Sequence, residues 1–211
     1  MSGSSAVSDV CRQRRGGGRR SRTGVRAAAI FLGLLSLALA LSILLALPAF
    51  ASGPRVVAEL PICVVAGDQW SPVASGDFYV WEDTRNGGYD IYGYDRSTEK
   101  ELTICLYAGD QSYPAISRGV VVWEDNRNGA TNDDIYGYDL VGHKSFAVCT
   151  QNGGQWCPAI SGNIVVWQDL RSPADDIYGY NLTTKTEFPI CVAAGYQQAP
   201  AISGNIVVRE D

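Results

Sequence analysis

The feature that most limits the fold of this 211-residue chain is a repeat that recurs from residue 56 to residue 211. Each copy contains one equivalent cysteine, and successive cysteines are 42, 44 and 42 residues apart: Cys63, Cys105, Cys149 and Cys191. The tryptophans of a VW(E/Q)D-like sequence follow the same intervals: Trp81, Trp123 and Trp167, with Arg209 at the fourth position. The second copy is two residues longer, and the additional residues lie within NRNGATND. A period of this length, with length variation in one loop, indicates a tandem array of one small structural unit.

Each copy contains four short strand-forming segments that are separated by turn residues. They are PAIS (158–161), NIVVW (163–167), DIYGYDL (134–140 in the second copy) and TKTEFPIC (184–191). No window after the leader has helical periodicity, and VVVW at 120–123 is apolar on both faces, which indicates burial on both sides. The sequence therefore predicts an all-β fold of β-propeller blades, each a four-stranded antiparallel unit of about 43 residues.

The repeat boundaries predict a partial propeller of roughly three and a half blades within residues 52–211. The predicted units are 64–105, 106–149, 150–191 and a partial copy at 192–211, preceded by an isolated fourth strand at 57–63. Propellers typically close with about 4 to 8 blades. We therefore expect a segment of a longer protein, because a half-built blade exposes a strand edge. The alternative is self-association of two chains through these open blade edges.

The second copy also carries a family resemblance. Pro114, the apolar strand 120–123, the turn Asp125-x-Arg127 and the sequence DIYGYD at 134–139 resemble TolB-type, WD-repeat-like propeller blades of exported bacterial and archaeal cell-surface proteins. The first strand departs from that pattern, because AISG stands where the family has W-S-P-D-G. The resemblance implies the propeller fold. It implies little about function, because one fold hosts many functions.

The first 51 residues are typical of a secretory signal peptide. Seven arginines precede an uncharged apolar run, which ends in Ala49-Phe50-Ala51. The alternative is a retained N-terminal membrane anchor, because residues 27–47 are numerous enough to span a bilayer. In both cases we expect residues 52–211 to be exported to the periplasm, the cell surface or the extracellular space. The membrane is then a partner only through an uncleaved leader.

The charge of the exported part argues against nucleic acid as a partner. The whole chain has 17 basic and 22 acidic residues, and the leader holds 7 of the basic residues and 1 of the acidic ones. This leaves 10 basic against 21 acidic residues, a net charge of −11. Such a balance is typical of a soluble exported domain or of a cation-binding one.

Two sets of polar residues are candidates for chemistry. The first is a D-x-R pair in every full copy: Asp83 and Arg85, Asp125 and Arg127, Asp169 and Arg171. These pairs could form a ligand-binding charge array. We interpret them instead as structural braces, in which each aspartate accepts turn N–H bonds and each arginine binds a neighbouring carboxylate and ties blades together. Repetition in every unit favours that interpretation, because every junction needs the same brace.

The second set is predicted to share one face of the propeller, because the loops that enter a first strand lie on the same side as those that leave a second strand. Its members are Asp68, Gln69, Asp110, Gln111, Asn126, Asn128 and Asp133. Because this face also contains the expanded loop of the second copy, we predict that it binds a partner. Calcium is an alternative occupant, but Arg127 at the third position and the lack of a twelfth-position glutamate exclude an EF-hand. Plain turn chemistry is the preferred interpretation, so no cofactor is predicted.

The equivalent cysteines are predicted to be small buried apolar residues, because equivalent strands of a ring lie too far apart for disulfides. Cys157 is different. It follows Cys149 by eight residues across a loop, so a local Cys149–Cys157 disulfide is an alternative in an oxidising compartment. Zinc is disfavoured by the spacing and by the single histidine, His143. Asn181-Leu182-Thr183 is an N-glycosylation sequon, usable where the host glycosylates exported proteins.

Few residues of the chain suggest catalysis. There is one histidine, no G-x-S-x-G sequence and no His/Asp/Ser trio. We therefore predict a non-catalytic exported β-propeller that acts as a binding or scaffold module for a protein or polysaccharide. One alternative is the accessory propeller of a larger exported hydrolase or peptidase, which a G-x-S-x-G block downstream would reveal. Another is a calcium-dependent adhesion or carbohydrate-binding module.

Overall fold

The structure, a computed structural model, describes residues 59–129 and 132–211. The signal peptide or anchor predicted at 1–51 lies outside these residues. Within them the chain forms fourteen strands and no helix. Accordingly, the described part of the chain offers no helix with the length and apolar character needed to cross a membrane.

The strands form three four-stranded sheets and one two-stranded sheet, which follow each other along the chain. The first sheet consists of β1 (Gln69–Ser75), β2 (Phe78–Asp83), β3 (Asp90–Asp95) and β4 (Lys100–Cys105). The second consists of β5 (Gln111–Ser117), β6 (Val120–Asp125), β7 (Asp134–Asp139) and β8 (Lys144–Cys149). The third consists of β9 (Gln155–Ser161), β10 (Ile164–Asp169), β11 (Asp176–Asn181) and β12 (Thr186–Cys191). The last pairs β13 (Gln198–Ser203) with β14 (Ile206–Glu210).

Within each sheet every strand pairs antiparallel with the next strand of that sheet, and the three full sheets share one register. The tryptophan of each second strand lies opposite a tyrosine of the third: Trp81 opposite Tyr92, Trp123 opposite Tyr136, and Trp167 opposite Tyr178. The first strand of each later sheet packs against the first three strands of the sheet before it. This arrangement of short meandering sheets confirms the predicted all-β propeller-blade fold.

The hydrophobic core lies between successive sheets. One cluster joins Val80, Ile91 and Ile104 of the first sheet to Val121 and Trp123 of the second. The next cluster joins Val122, Ile135 and Val148 of the second sheet to Val165 and Trp167 of the third. Adjacent valines of β6 therefore face opposite neighbours, because successive side chains of a strand point to opposite faces. This explains why VVVW is apolar throughout.

The predicted leading strand at 57–63 is wrong over the residues that the structure describes. Residues 59–63 form no strand, and residues 57–58 lie outside the described ranges. A fourth strand of a blade pairs with a third strand, and no third strand precedes β1 in the described part of the chain. Cys63 nevertheless occupies the position of its counterparts, with its Sγ 3.8 Å from Asp83 Oδ2.

Candidate functional site

The D-x-R pairs form a buried polar cluster at the end of each second strand. In the first sheet Asp83 is fully buried, and its Oδ2 accepts hydrogen bonds from Trp81 Nε1 at 3.0 Å and from Arg85 Nη2 at 2.7 Å. The backbone N–H of Arg85 donates to Asp83 Oδ1 at 2.9 Å. The guanidinium then reaches across the same sheet to Glu101, 2.7 Å away. The nitrogen donors to this carboxylate therefore all belong to its own sheet.

The second and third sheets repeat this geometry. Trp123 Nε1 donates to Asp125 Oδ2 at 2.9 Å, and Arg127 binds both oxygens of that carboxylate, at 2.8 and 2.5 Å. Arg171 binds both oxygens of Asp169, at 2.8 and 2.6 Å. Such bidentate, charge-assisted pairs are the strong class of side-chain hydrogen bonds. The guanidinium of Arg127 is also stacked between two aromatic rings, 3.8 Å from the centroid of Tyr107 and 3.9 Å from that of Tyr136.

The link between sheets is made by the repeated cysteine, which belongs to the preceding sheet. Cys105 Sγ lies 3.5 Å from Arg127 Nη2 and 3.8 Å from Asp125 Oδ2. Cys149 lies in the same way 3.4 Å from Arg171 Nη2. Each arginine does bind a neighbouring carboxylate, but the prediction that these pairs tie the blades together needs correction. The carboxylates belong to the arginine's own sheet, and the thiol crosses the junction. We call this set the Trp–Asp–Arg–Cys brace.

The titration behaviour of the brace is that of a structural group. Burial alone raises the pKa of Asp83, but hydrogen bonds from Arg85 and Trp81 outweigh it and hold the pKa at about 2. Burial raises the pKa of the Cys105 thiol to about 11 and that of Cys149 to about 12. The aspartate therefore stays ionised and the thiols stay protonated near neutral pH. Neither group is poised to exchange a proton or to act as a nucleophile.

The alternative Cys149–Cys157 disulfide is not formed, because Cys149 is a free thiol. Cys149 ends β8, the last strand of the second sheet, whereas Cys157 lies in β9, the first strand of the third sheet. These strands are at opposite edges of their sheets. The thiol of Cys149 is instead directed to Asp169, 4.0 Å away, as part of the brace.

A second contact joins the sheets and was missed by the sequence analysis. In each first strand one residue has positive φ and shifts the strand register; these residues are Ser71, Tyr113, Cys157 and Ala199. The backbone N–H of this residue donates to the side chain that stands between Trp and Asp in the second strand of the preceding sheet. Glu82 Oε1 accepts from Tyr113 N at 2.7 Å, and Glu124 Oε1 accepts from Cys157 N at 2.5 Å. The available signal was an acceptor side chain, Glu or Gln, at this position of every full copy.

The loops before each first strand and after each second strand lie on one side of the blades, which we call the loop face. Its described segments are 64–68, 84–89, 106–110, 126–129, 132–133, 150–154, 170–175 and 192–197. Backbone hydrogen bonds connect them in sequence: Thr84 N to Asp68 O, Gln111 N to Tyr89 O, Asn126 N to Asp110 O, and Gln155 N to Asp133 O. The predicted sharing of one face follows directly from this connected series.

Most residues predicted to bind a partner on this face are used within it. Gln111 is buried, and its Nε2 donates to the carbonyl oxygens of Tyr107 and Gly109. Asn126 Oδ1 accepts from the backbone of Asp110 at 2.6 Å. Further hydrogen bonds join Asp110 Oδ1 to Tyr89 N, Asn128 Nδ2 to Asp134, Trp156 Nε1 to Asp133, and Gln69 Nε2 to Gly67 O. Of the seven predicted residues, Asp68, Gln69, Asp110 and Asn128 are exposed, Asn126 and Asp133 are half-buried, and Gln111 is buried.

The loop face also exposes large apolar and aromatic side chains that were not among the predicted residues. They are Val64, Val65, Leu106, Tyr107, Val192 and Tyr196. Leu106 and Tyr107 are 51% and 56% exposed. Across residues 59–129 and 132–211, no group of three or more His, Cys, Asp or Glu side chains is arranged to hold a metal ion. The carboxylates and amides considered for calcium instead bind the loops to each other.

Comparison with known proteins gives structural similarity alone. No protein-family model matches the chain. No curated protein matches its sequence either. Among solved structures, TolB from Acinetobacter baumannii is similar with a TM-score of 0.54 and 17% identity, over 67% of this chain and 37% of that one. A TolB candidate from Agrobacterium tumefaciens has a TM-score of 0.50 and 16% identity, over 59% of this chain and 46% of that one.

The matched regions therefore span less than half the length of these two proteins. At such identities the likeness concerns the fold and not the activity. The register of the sheets, the core between them and the structural similarity to TolB all indicate the same fold. The described part of the chain consists of β-propeller blades that are structurally similar to part of TolB.

Proposed function

We propose that this chain is a non-catalytic, exported binding module that recognises a protein partner through the loop face of its blades. Export is supported by the signal-like leader predicted at 1–51. The observation that carries the binding proposal is the group of exposed apolar and aromatic side chains on that face. Aromatic residues are enriched at protein interfaces, and exposed apolar patches commonly mark them.

The way in which the blades use their charged residues supports binding over catalysis. The repeated Asp and Arg side chains pair with each other, and the repeated glutamates accept backbone N–H groups of the next sheet. A catalytic site needs a nucleophile, acid or base that substrate can reach. In the brace the arginine is paired, and burial raises the pKa of the Cys105 and Cys149 thiols. These groups support architecture, which leaves recognition to the exposed loop side chains.

The exposed residues differ between copies at two positions that directly follow each cysteine. These positions are Val64-Val65, Leu106-Tyr107, Thr150-Gln151 and Val192-Ala193. Three copies present apolar side chains there, and the third presents polar ones. A repeated fold with varied loop tips is a common way to place specificity on a rigid scaffold. We therefore assign partner recognition to these tips, with Asp68 as a polar residue at the edge of the surface.

The test compares two exposed apolar surfaces of the same chain. The double variant L106S/V192S changes the loop face, whereas V141S changes a turn at the opposite end of the blades, where Val141 is 76% exposed. Purified full-length protein is immobilised and exposed to solubilised cell-envelope protein of the source organism. Bound components are identified and their affinities are measured. Burial of one such side chain contributes about 1.5 to 3 kcal/mol, so we expect the double variant to bind at least about tenfold more weakly.

V141S should bind as the wild type does, and all three proteins should have the same thermal unfolding midpoint. The proposal is rejected if no envelope protein binds the wild type. It is also rejected if L106S/V192S and V141S bind equally, since the interaction would then not involve the loop face.

A further inference from the structure

The turn between β11 and β12 presents an asparagine amide whose oxygen is fully engaged and whose nitrogen is not. Asn181 Oδ1 accepts hydrogen bonds from Thr183 N at 2.9 Å, from Thr184 N at 3.1 Å and from Asn163 Nδ2 at 3.0 Å. This is an Asx turn, in which the side-chain oxygen binds backbone N–H groups two and three residues later. Within the described residues Asn181 Nδ2 donates no hydrogen bond, and it is not among the buried unpaired atoms.

The residue two positions later supplies a hydroxyl on the same turn. Thr183 is exposed, and its Oγ1 accepts a hydrogen bond from Asn163 Nδ2 at 3.1 Å. The same Asn163 side chain therefore holds both the oxygen of Asn181 and the hydroxyl of Thr183. Asn181-Leu182-Thr183 is also the only N-x-[ST] sequence in the 211 residues. One turn thus combines the sequon, an engaged amide oxygen and an amide nitrogen that donates no hydrogen bond within the described residues.

The equivalent turns of the other sheets show that the fold does not require this sequence. The first sheet has Asp95 and the second has Asp139 at this position, and both make the same turn. Asp95 Oδ1 accepts from Ser97 N at 2.8 Å, and Asp139 Oδ1 accepts from Val141 N at 2.9 Å. A carboxylate therefore satisfies the turn fully. The amide nitrogen of the third sheet adds a chemical capability that this turn does not use.

We propose that Asn181 is an acceptor site for an N-linked glycan. In the transfer, Asn181 Nδ2 attacks the anomeric carbon of a sugar that a lipid-linked phosphate or pyrophosphate donor carries. The bond from that carbon to the phosphate oxygen breaks, the N–C bond forms, Nδ2 loses one proton, and the lipid phosphate leaves. The amide oxygen keeps its hydrogen bonds in the product, because only the nitrogen is substituted. Folding and modification are therefore compatible at this turn.

The position of the glycan has two structural consequences. The turn between a third and a fourth strand is at the end of the blade opposite the loop face, so the glycan leaves that face accessible. Asn181 also lies opposite Thr186 of β12, which is the edge strand of its sheet. Exposed edge strands pair readily with other chains unless something bulky or charged blocks them. A glycan beside β12 obstructs such pairing.

The test uses purified full-length protein, an oligosaccharyltransferase that accepts N-x-[ST] sequences and its lipid-linked oligosaccharide. The enzyme preparation is first shown to modify a synthetic peptide of residues 176–188. We expect the folded wild type to gain the mass of one glycan, located at Asn181 by peptide mass spectrometry. The chain supplies matched controls: N181D gives the third sheet the aspartate of the other two, and T183V gives it the valine of the second sheet.

Both variants should keep the unfolding midpoint of the wild type and gain no glycan, whereas T183S should be modified. Modification of the peptide without modification of the folded protein overturns the proposal, because the turn would then not present the amide. Equal modification of T183V overturns the role of the hydroxyl and with it the assignment of the sequon.

Discussion

The contact between Glu124 and the next sheet gives the sharpest test of how successive blades are joined. Cys157 has φ of 51°, in the left-handed region that costs a residue other than glycine roughly 1 to 2 kcal/mol. Its N–H is directed to Glu124 Oε1, 2.5 Å away. The glutamate is 8% exposed, so little water replaces it. We therefore expect this carboxylate to stabilise the left-handed conformation of the adjacent strand.

The expected magnitude follows from that geometry. A hydrogen bond to a charged group contributes about 1.5 to 3 kcal/mol, and its removal leaves a buried N–H unsatisfied. E124A should therefore lower the free energy of unfolding by about 2 to 3 kcal/mol. E124Q should cost less than about 1 kcal/mol, because Gln168 makes the same contact in the third sheet, where its Oε1 accepts from Ala199 N at 3.2 Å. For a chain of this size, E124A should lower the thermal midpoint by roughly 4 to 12 °C.

The reverse substitution in the third sheet, Q168E, should lower the stability of the fold, although it supplies the charged acceptor of the other two sheets. Gln168 Nε2 donates to Asp175 Oδ2 at 2.9 Å, and Asp175 is buried. Q168E would place a second carboxylate against the first, so we expect a loss of stability near neutral pH. Burial raises the pKa of Asp175 already, despite hydrogen bonds from Gln198 and Gln168. The loss should diminish as the pH falls and one carboxyl takes up a proton.

The assay is urea unfolding followed by tryptophan fluorescence, with D68A as a control that removes an exposed carboxylate from the loop face. The urea dependence should be equal in all variants, so that changes of midpoint report stability. Two results would refute the reasoning. One is a loss for E124A below about 0.5 kcal/mol, the size of an ordinary surface substitution. The other is an equal loss for E124A and E124Q, which would assign the effect to packing rather than to the acceptor.

Three further predictions concern the brace and the sheet packing. The pKa of Asp83 is lowered to about 2 in the fold, so the ionised carboxylate should add about 2 kcal/mol to the free energy of unfolding above pH 4. This stabilisation should be lost as the pH falls to 2. Urea unfolding of the wild type and D83N over this range should therefore show a shrinking difference in the free energy of unfolding. At pH 8 iodoacetamide should label Cys191 before Cys149. Cys191 is half-exposed, and hydrogen bonds from the Ala193 backbone and the Arg209 side chain lower its pKa, whereas burial raises the pKa of Cys149 to about 12. Equal labelling rates by mass spectrometry would contradict this. G137A should cost about 1 to 3 kcal/mol in urea unfolding, because a Cβ there would lie 2.7 Å from Phe146 Cζ, and an unchanged midpoint would show that the ring moves aside.

The sequence predicted those parts of the fold that depend on local pattern. The strand segments, their order and the burial of 120–123 on both faces follow from residue type and spacing, and the structure has them within a few residues. The strand at 57–63 failed over its described part, because a strand exists only with a partner, and the partner is not a property of its own sequence. The left-handed conformation of one residue in each first strand was not predicted, for the same reason. Four different residue types occupy it, and what stabilises it is a side chain of another sheet.

The candidate site was predicted less completely. The brace was identified as structural from its repetition alone, but its arginines were expected to tie the blades together, because spacing does not show that the carboxylates they reach lie in their own sheet. The Cys149–Cys157 pairing failed because a separation of eight residues cannot tell whether a loop returns to the same edge of a sheet. Here the loop leaves the last strand of one sheet and enters the first strand of the next.

Variation between copies is itself constrained by contacts on the loop face. In the second and third sheets the residue before the third-strand aspartate accepts a hydrogen bond from a side chain of the next first strand: Asp133 from Trp156, and Asp175 from Gln198. Changes at these positions are therefore constrained by packing between sheets. The positions directly after each cysteine are free of this requirement, since Val64 and Leu106 are exposed. A partner can therefore select among residues there without a compensating change inside the fold. For that reason the loop tips, and not the repeated charges, are where specificity can evolve.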